Sequence, residues 1–130
     1  MKLPELLAPA GSPEAAIAAL KGGADAIYLG GRMLNARMNA NNFTDDQLSE
    51  CIKTCHERGV KVYVTANTLI LDRELDDYLR AAEDAYLSGA DGLIVADLGA
   101  ASLLRERIPI PLHASTQVSG HNASAAAELA

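Results

Sequence analysis

Tryptophan is absent from this chain of 130 residues, and one phenylalanine and four tyrosines make up its whole aromatic content. A core built on 24 alanines therefore favours closely packed helices over a sandwich of bulky strands. Basic residues are also scarce: 11 Lys and Arg stand against 17 Asp and Glu, for a net charge of −6. That balance argues against this chain gripping a nucleic-acid backbone by itself, which needs clustered Lys and Arg. The two cysteines, four positions apart, cannot staple a small secreted scaffold, so a reducing compartment, by default the cytoplasm, is expected. No apolar run approaches the roughly 18 residues of a membrane span, and Met1-Lys2-Leu3-Pro4-Glu5 interrupts what a signal peptide would keep apolar. With 49% hydrophobic residues the chain is no disordered acidic tail, and it reads as a single domain over residues 1–130.

Apolar runs separated by glycine recur at 3–8, 25–29, 60–66, 92–96 and 110–114. Their nearly continuous hydrophobicity, as in Ala26-Ile27-Tyr28-Leu29 and Gly92-Leu93-Ile94-Val95, predicts parallel strands covered by helices. Ser12-Pro13-Glu14 and the Thr44/Gln47 pair read as helix starts, with Asp72 expected as a third cap. Leu48, Cys51, Ile52 and Cys55 form one apolar stripe; Leu75, Tyr78, Leu79, Ala82 and Tyr86 form another. Gly22, Gly59 and Gly89 are expected to end helices in the left-handed conformation. Gly23-Ala24-Asp25-Ala26 returns as Gly89-Ala90-Asp91-Gly92, two βα units later, by duplication or by convergent turn chemistry. The pattern is α/β, with parallel βα repeats amounting to about half of a TIM-like (β/α)₈ barrel, whose complete form takes about 250 residues. An open doubly wound sheet is the alternative. Residues 119–130 read as a loop entering a helix that stops without a cap. A fragment of a longer protein is expected, with open sheet edges that call for a second copy of the chain or for further strands.

Pro4-Glu5-Leu6-Leu7-Ala8-Pro9-Ala10-Gly11 followed by Gly23-Ala24-Asp25-Ala26-Ile27-Tyr28-Leu29-Gly30-Gly31 resembles the start of the collagenase-like U-32 peptidase family. Asn42-Phe43-Thr44, the stretch His56-Glu57-Arg58-Gly59-Val60-Lys61-Val62-Tyr63-Val64-Thr65, and His113-Ala114-Ser115-Thr116-Gln117 resemble that family's later blocks in the same order. The resemblance implies a TIM-barrel-like amino-terminal domain and a peptidase, nominally acting on collagen-like substrates. It equally implies the alternative of an accessory factor for hydroxylation, of transfer or ribosomal RNA using prephenate, or of ubiquinone precursors with an iron–sulfur cluster. The family's cluster-binding cysteines lie beyond Ala130, so no cofactor is assigned to this segment, and the segment alone is expected to be inactive. A third reading is a binding or assembly module without catalysis.

In βα-repeat folds the site gathers where strands end. That rule selects Asn67, Asp97, His113, Ser115, Thr116 and Gln117. Alternation puts Tyr63, Thr65 and Asn67 on one side of the third strand, and His113, Ser115 and Gln117 on one side of the fifth. Ser115, His113 and Asp97 would be the nucleophile, base and orienting acid of a protease, although no GxSxG elbow is present. Asp97 serves equally well as the cap of a helix near Leu98, and Thr65 and Ser115 as partners of buried backbone. Asn67, Thr116 and Gln117 are the expected substrate-binding set, joined by Arg32 and Arg37 from the long 32–43 loop. The two arginines suit a small-molecule carboxylate such as a prephenate-like dicarboxylate, or a phosphate of RNA; a solvated lid is the bland alternative, since the Gly30-Gly31 pair lacks a phosphate-loop spacing. No lysine stands at a strand end to form a Schiff base, which weighs against an aldolase. Cys51 and Cys55 beside His56 do not complete a tetrahedral metal site, and no metal ligand is assigned.

Overall fold

The computed structural model describes residues 1–31, 34 and 43–130. Five strands, β1 (Leu7–Pro9), β2 (Ala26–Gly30), β3 (Lys61–Ala66), β4 (Gly92–Val95) and β5 (Leu112–Ala114), form one sheet in the order β1-β2-β3-β4-β5. Every pairing is parallel. Between and after the strands run α1 (Pro13–Lys21), α2 (Asp45–His56), α3 (Leu75–Leu87), α4 (Leu98–Arg107) and α5 (Ala123–Leu129). A doubly wound sheet would reverse its strand order partway. Here the order never reverses, so right-handed crossovers lay successive helices against the same face, as in a barrel wall.

That single-sided cover explains the burial. Ile27, Leu29, Val62, Val64, Ala66, Leu93 and Val95 point to the helices and are buried. They meet the stripe Leu48, Cys51, Ile52 and Cys55 of α2 and Tyr78, Leu79 and Ala82 of α3, all buried, while Leu75 and Tyr86, the two ends of the second stripe, are half-buried. Residues of the opposite alternation are mixed in character. Tyr63 and Thr65 are buried, Tyr28, Ile94 and Ser115 half-buried, and His113 exposed.

The strand ends differ from the sequence expectation at both edges. β1 starts at Leu7 rather than at residue 3, and β5 starts at Leu112 rather than at 110. Each edge strand has one neighbour, and Pro4, Pro109 and Pro111 have no N–H to extend the ladder. Ser12 caps α1 by accepting the Ala15 N–H, and Thr44 closes a reciprocal box with Gln47 at α2. Asp72 is not a helix cap. It lies inside a 3₁₀ turn, Asp72–Glu74, and it is Glu74 whose carboxylate accepts the Leu71 N–H. Gly22 is also not the left-handed residue, since its φ is −77°; Gly23 takes that conformation at +82°, as Gly59 and Gly89 do at their turns.

The repeated Gly-Ala-Asp has a shared structural task. In each copy the alanine N–H returns to the preceding helix, Ala24 to Ala19 and Ala90 to Ala85, both at 3.1 Å. The aspartate then grips the preceding strand twice. Asp25 donates its N–H to Leu6 O and accepts the Leu6 N–H on its carboxylate at 2.8 Å; Asp91 donates to Val62 O and accepts the Val62 N–H at 2.7 Å. The Asp91 carboxylate also meets His56 Nε2 at 2.8 Å, tying the end of α2 to the start of β4. Asp91→Ala is expected to lower unfolding free energy by about 1 kcal/mol in urea titration, through a strand N–H left without its charged acceptor. Asp25→Ala, at the exposed edge, is expected to cost less.

Candidate functional site

The carboxyl ends of the strands carry an open pocket of about 450 Å³, lined by Asn67, Thr68 and Leu69 after β3 and by Gln117 after β5. Two of the substrate-binding candidates, Asn67 and Gln117, therefore meet across the end of β4. Thr116 and Gln117 belong to a 3₁₀ turn, Thr116–Val118, that Ser115 caps by accepting the Gln117 N–H at 3.3 Å. The Ser115 N–H itself is held by Val95 O at 2.7 Å, which fixes the turn against β4. Arg32 and Arg37 lie outside the described residues.

Asp97 organises this rim. One carboxylate oxygen accepts the Ala100 N–H at 2.9 Å and caps α4; the other accepts the Ile70 N–H at 3.1 Å, within the β3–α3 connection. The Tyr78 hydroxyl, on α3, donates to Ala66 O at 2.8 Å, just before that connection starts. Burial, with the Asp97 charge as the lesser cause, pushes this hydroxyl up to about 12, so it stays a donor. The 67–69 segment is thus anchored from α3 on one side and from Asp97 on the other. Within it, the Thr68 hydroxyl oxygen is shielded from solvent and has no hydrogen-bond partner among the described residues.

His113 belongs to a different constellation. Its ring stacks at a tilt on Tyr63, with centroids 5.0 Å apart, and lies over Gly92, the first residue of β4. A Cβ on Gly92 would stand 3.0 Å from the Tyr63 ring and 3.1 Å from that of His113, so the glycine makes room for both. Tyr63 donates to Glu5 at 2.8 Å, and Lys61 reaches the other Glu5 oxygen at the same distance. Those hydrogen bonds, from Lys61 first and Tyr63 next, hold the Glu5 carboxyl below its ordinary value and Lys61 above its own. The group sits toward the amino-terminal ends of β3 and β4, the end of a barrel sheet concerned with stability. His113 is in hydrogen-bond contact with neither Asp97 nor Ser115, whose bonds go to backbone.

Glu5 and Lys61 escape a reading of the sequence because 56 residues separate them; only the β1-β2-β3 order brings them together over the small Ala26. Thr68 escapes because it is one residue beyond the alternating stretch. Cys51 and Cys55 are buried, and burial pushes the Cys51 thiol up to about 12 and the Cys55 thiol upward too. Among the described residues no group of three His, Cys, Asp or Glu could hold a metal ion. A second hollow of about 410 Å³ opens between α2 and α3, where Asp45, Asp77 and Asp84 surround an Arg80 that is paired with Asp77 at 2.6 Å.

Residues 11–130 match the model of Peptidase family U32. The chain is 44% identical over 113 residues to the 23S rRNA 5-hydroxycytidine C2501 synthase of Escherichia coli, a match covering 87% of this chain and 17% of that protein. It is 39% identical over 122 residues to a collagenase of Porphyromonas gingivalis, and 40% identical over 125 residues to tRNA hydroxylation protein P1 of Bacillus subtilis. Each of those two matches covers 93% of this chain and 29% of the relative. The chain thus spans less than a third of these relatives' lengths. Among solved structures, the U32 peptidase Mk0906 superposes with a TM-score of 0.71 at 17% identity, over 97% of this chain and 55% of that one, which shows a shared fold.

Asp97→Ala is expected to accelerate amide hydrogen exchange at Ile70 and Ala100 and to lower stability by about 1 kcal/mol, the usual loss for an N-cap. At the opposite end of the sheet, a depressed Glu5 value means stability that is complete above pH 4.5, its ordinary value, and lost as pH falls through the folded one. The stability advantage of the native chain over Glu5→Gln is therefore expected to vanish on acidification, read as converging urea midpoints.

Proposed function

The chain belongs to peptidase family U32, and on that premise we propose that it forms one wall of the substrate site of an RNA-hydroxylation factor. The observation that carries this reading is the engagement of Asp97. Both of its oxygens are taken by peptide N–H groups, at Ala100 and Ile70, and the rim they hold is a pocket with amide and hydroxyl groups. Such a rim suits recognition. A Ser115–His113–Asp97 hydrolytic relay needs Asp97 to orient the imidazole and the imidazole to reach the hydroxyl, whereas His113 lies against Tyr63 and Gly92. Relatives named for ribosomal and transfer RNA hydroxylation support the same direction.

In this reading RNA is the substrate, met in the cytoplasm, and its phosphates are gripped by parts of a longer protein, because this chain carries a net −6. The peptidase alternative keeps one specific support, the collagenase among the relatives. An iron–sulfur cluster is held by four protein ligands, and with only Cys51 and Cys55 in this chain such a cluster would draw its ligands from other parts of a longer protein. The outer edges of β1 and β5 have no strand partner among the described residues, so the sheet would be extended toward a closed barrel by further strands or by a second copy.

Deletion of the full-length protein in its host, followed by mass spectrometry of nucleosides from ribosomal and transfer RNA, is expected to reveal loss of a hydroxylated pyrimidine. Restoration by Ser115→Ala, with failure of the purified protein to cleave gelatin, would complete the case. Unchanged nucleosides together with gelatin cleavage abolished in Ser115→Ala would overturn it in favour of the peptidase.

A further inference from the structure

We infer that Leu69, Leu71 and Leu98 form a docking surface for a basic segment of the longer protein, whose apolar side chains rest on the leucines and whose Lys or Arg side chains meet the acidic helix starts beside them. The inference does not depend on the RNA reading. Leu69 is 79% exposed, Leu71 53% and Leu98 59%. Alternation along the chain turns Ile70 inward, where it packs on the core, and Leu69 and Leu71 outward. Asp97 accepts the Ile70 N–H at 3.1 Å and directly precedes Leu98, so one carboxylate brings the leucines of two connections side by side. The backbone that carries them is fixed. Tyr78 donates to Ala66 O at 2.8 Å, Asp97 holds the Ile70 N–H, and Glu74 accepts the Leu71 N–H at 3.0 Å. A single exposed leucine needs no explanation, but a group of them on an ordered backbone marks an interaction surface, where little entropy is left to lose on binding.

Charge selects the occupant. Asp45 and Asp46 open α2, Asp72 and Glu74 lie in the 3₁₀ turn, and Asp76 and Asp77 open α3. Asp45 and Asp77 border one hollow, so the two helix starts are neighbours. Against these six carboxylates stand Arg73 and Arg80, and counting Arg32 and Arg37 of the 32–43 loop in full, six against four, still leaves a negative surplus of two. Helix dipoles account for acids at helix starts; they do not account for leucines beside them. A phosphate backbone or an anionic membrane is repelled by such a field. A second copy seated by two-fold symmetry would bring the same carboxylates against each other. A protein segment with apolar anchors between Lys or Arg residues answers both the leucines and the charge. The chain spans less than a third of the relatives' lengths, which places the segment in the remainder of the same polypeptide, where linkage raises its effective concentration.

The test is photocrosslinking within the full-length protein, with p-benzoylphenylalanine placed at Leu71 or at Leu98 and, as a control, at Leu87, which is 78% exposed at the far end of α3. Peptide mass spectrometry is expected to find the Leu71 and Leu98 probes joined to one common segment outside residues 1–130, with Lys or Arg among its apolar residues, and the Leu87 probe not joined to it. Raising the salt from about 0.05 M to about 0.5 M, or combining Asp72→Asn with Asp76→Asn, is expected to lower the yield about threefold. Leu69→Ser, also at an exposed position, is expected to lower it about five- to tenfold. Crosslinks to a second copy, to RNA or to a segment without cations, different segments for the two probes, no crosslink, or a yield indifferent to salt and to Leu69→Ser would overturn the inference.

Discussion

Consecutive strands that pair in parallel with their immediate sequence neighbours force everything else about this molecule. Peptide groups of β2, β3 and β4 are satisfied on both sides with β1 and β5 at the edges, and the unreversed sequence order commits the crossover helices to one face. One face of the sheet is then apolar and sealed, while the other is left for polar and half-buried groups. The direction shared by the strands sorts those groups again. Asn67, Asp97, Ser115 and Gln117 collect at one end, while Glu5, Lys61 and Tyr63 collect toward the other.

Aspartate does the same physical work at both ends. A carboxylate accepting a peptide N–H makes a charge-assisted bond, stronger than the neutral bond it replaces. Asp25 and Asp91 use it where strands begin, fixing the register of β2 against the entry of β1 and of β4 against β3. Asp97 uses it where β4 ends, and there the two captured N–H groups belong to different connections. The consequence differs with the place. At a strand start the bond secures the sheet; at a strand end it holds two loops in the relation that makes a pocket.

Much of the fold is legible in the sequence because its signals are local. Helical stripes such as Leu48, Cys51, Ile52 and Cys55, the Thr44/Gln47 box and the five apolar runs depend on residues a few positions apart. Asp72 has the chemistry of a cap, yet the chain turns there in a 3₁₀ turn with Glu74 as acceptor, and α3 begins only at Leu75. Strand alternation expects His113, Ser115 and Gln117 on one side, but β5 ends at Ala114 and Gln117 lies in the 3₁₀ turn that Ser115 caps, and a side chain also leans along its strand. The lean of the imidazole over Gly92 toward Tyr63 depends on an absent side chain in β4, a cross-strand fact that no spacing within β5 encodes. Asn67 and Gln117 were reachable by the strand-end rule, whereas Thr68 and the Glu5 contacts emerge only from register.

Under the RNA reading proposed above, the acidity of this chain is less paradoxical once the two parts of recognition are separated. Phosphate contacts give affinity and depend on clustered cations; base contacts discriminate and depend on the arrangement of donors and acceptors. A chain with few Lys and Arg can perform the second task when another part of the protein performs the first. This segment covers 17% of one relative and 29% of two others, so in the proposed reading the backbone grip would belong to other parts of a longer protein. In that reading the rim held by Asp97 and Tyr78 is the fixed part of the site, and the groups brought to it would decide the chemistry.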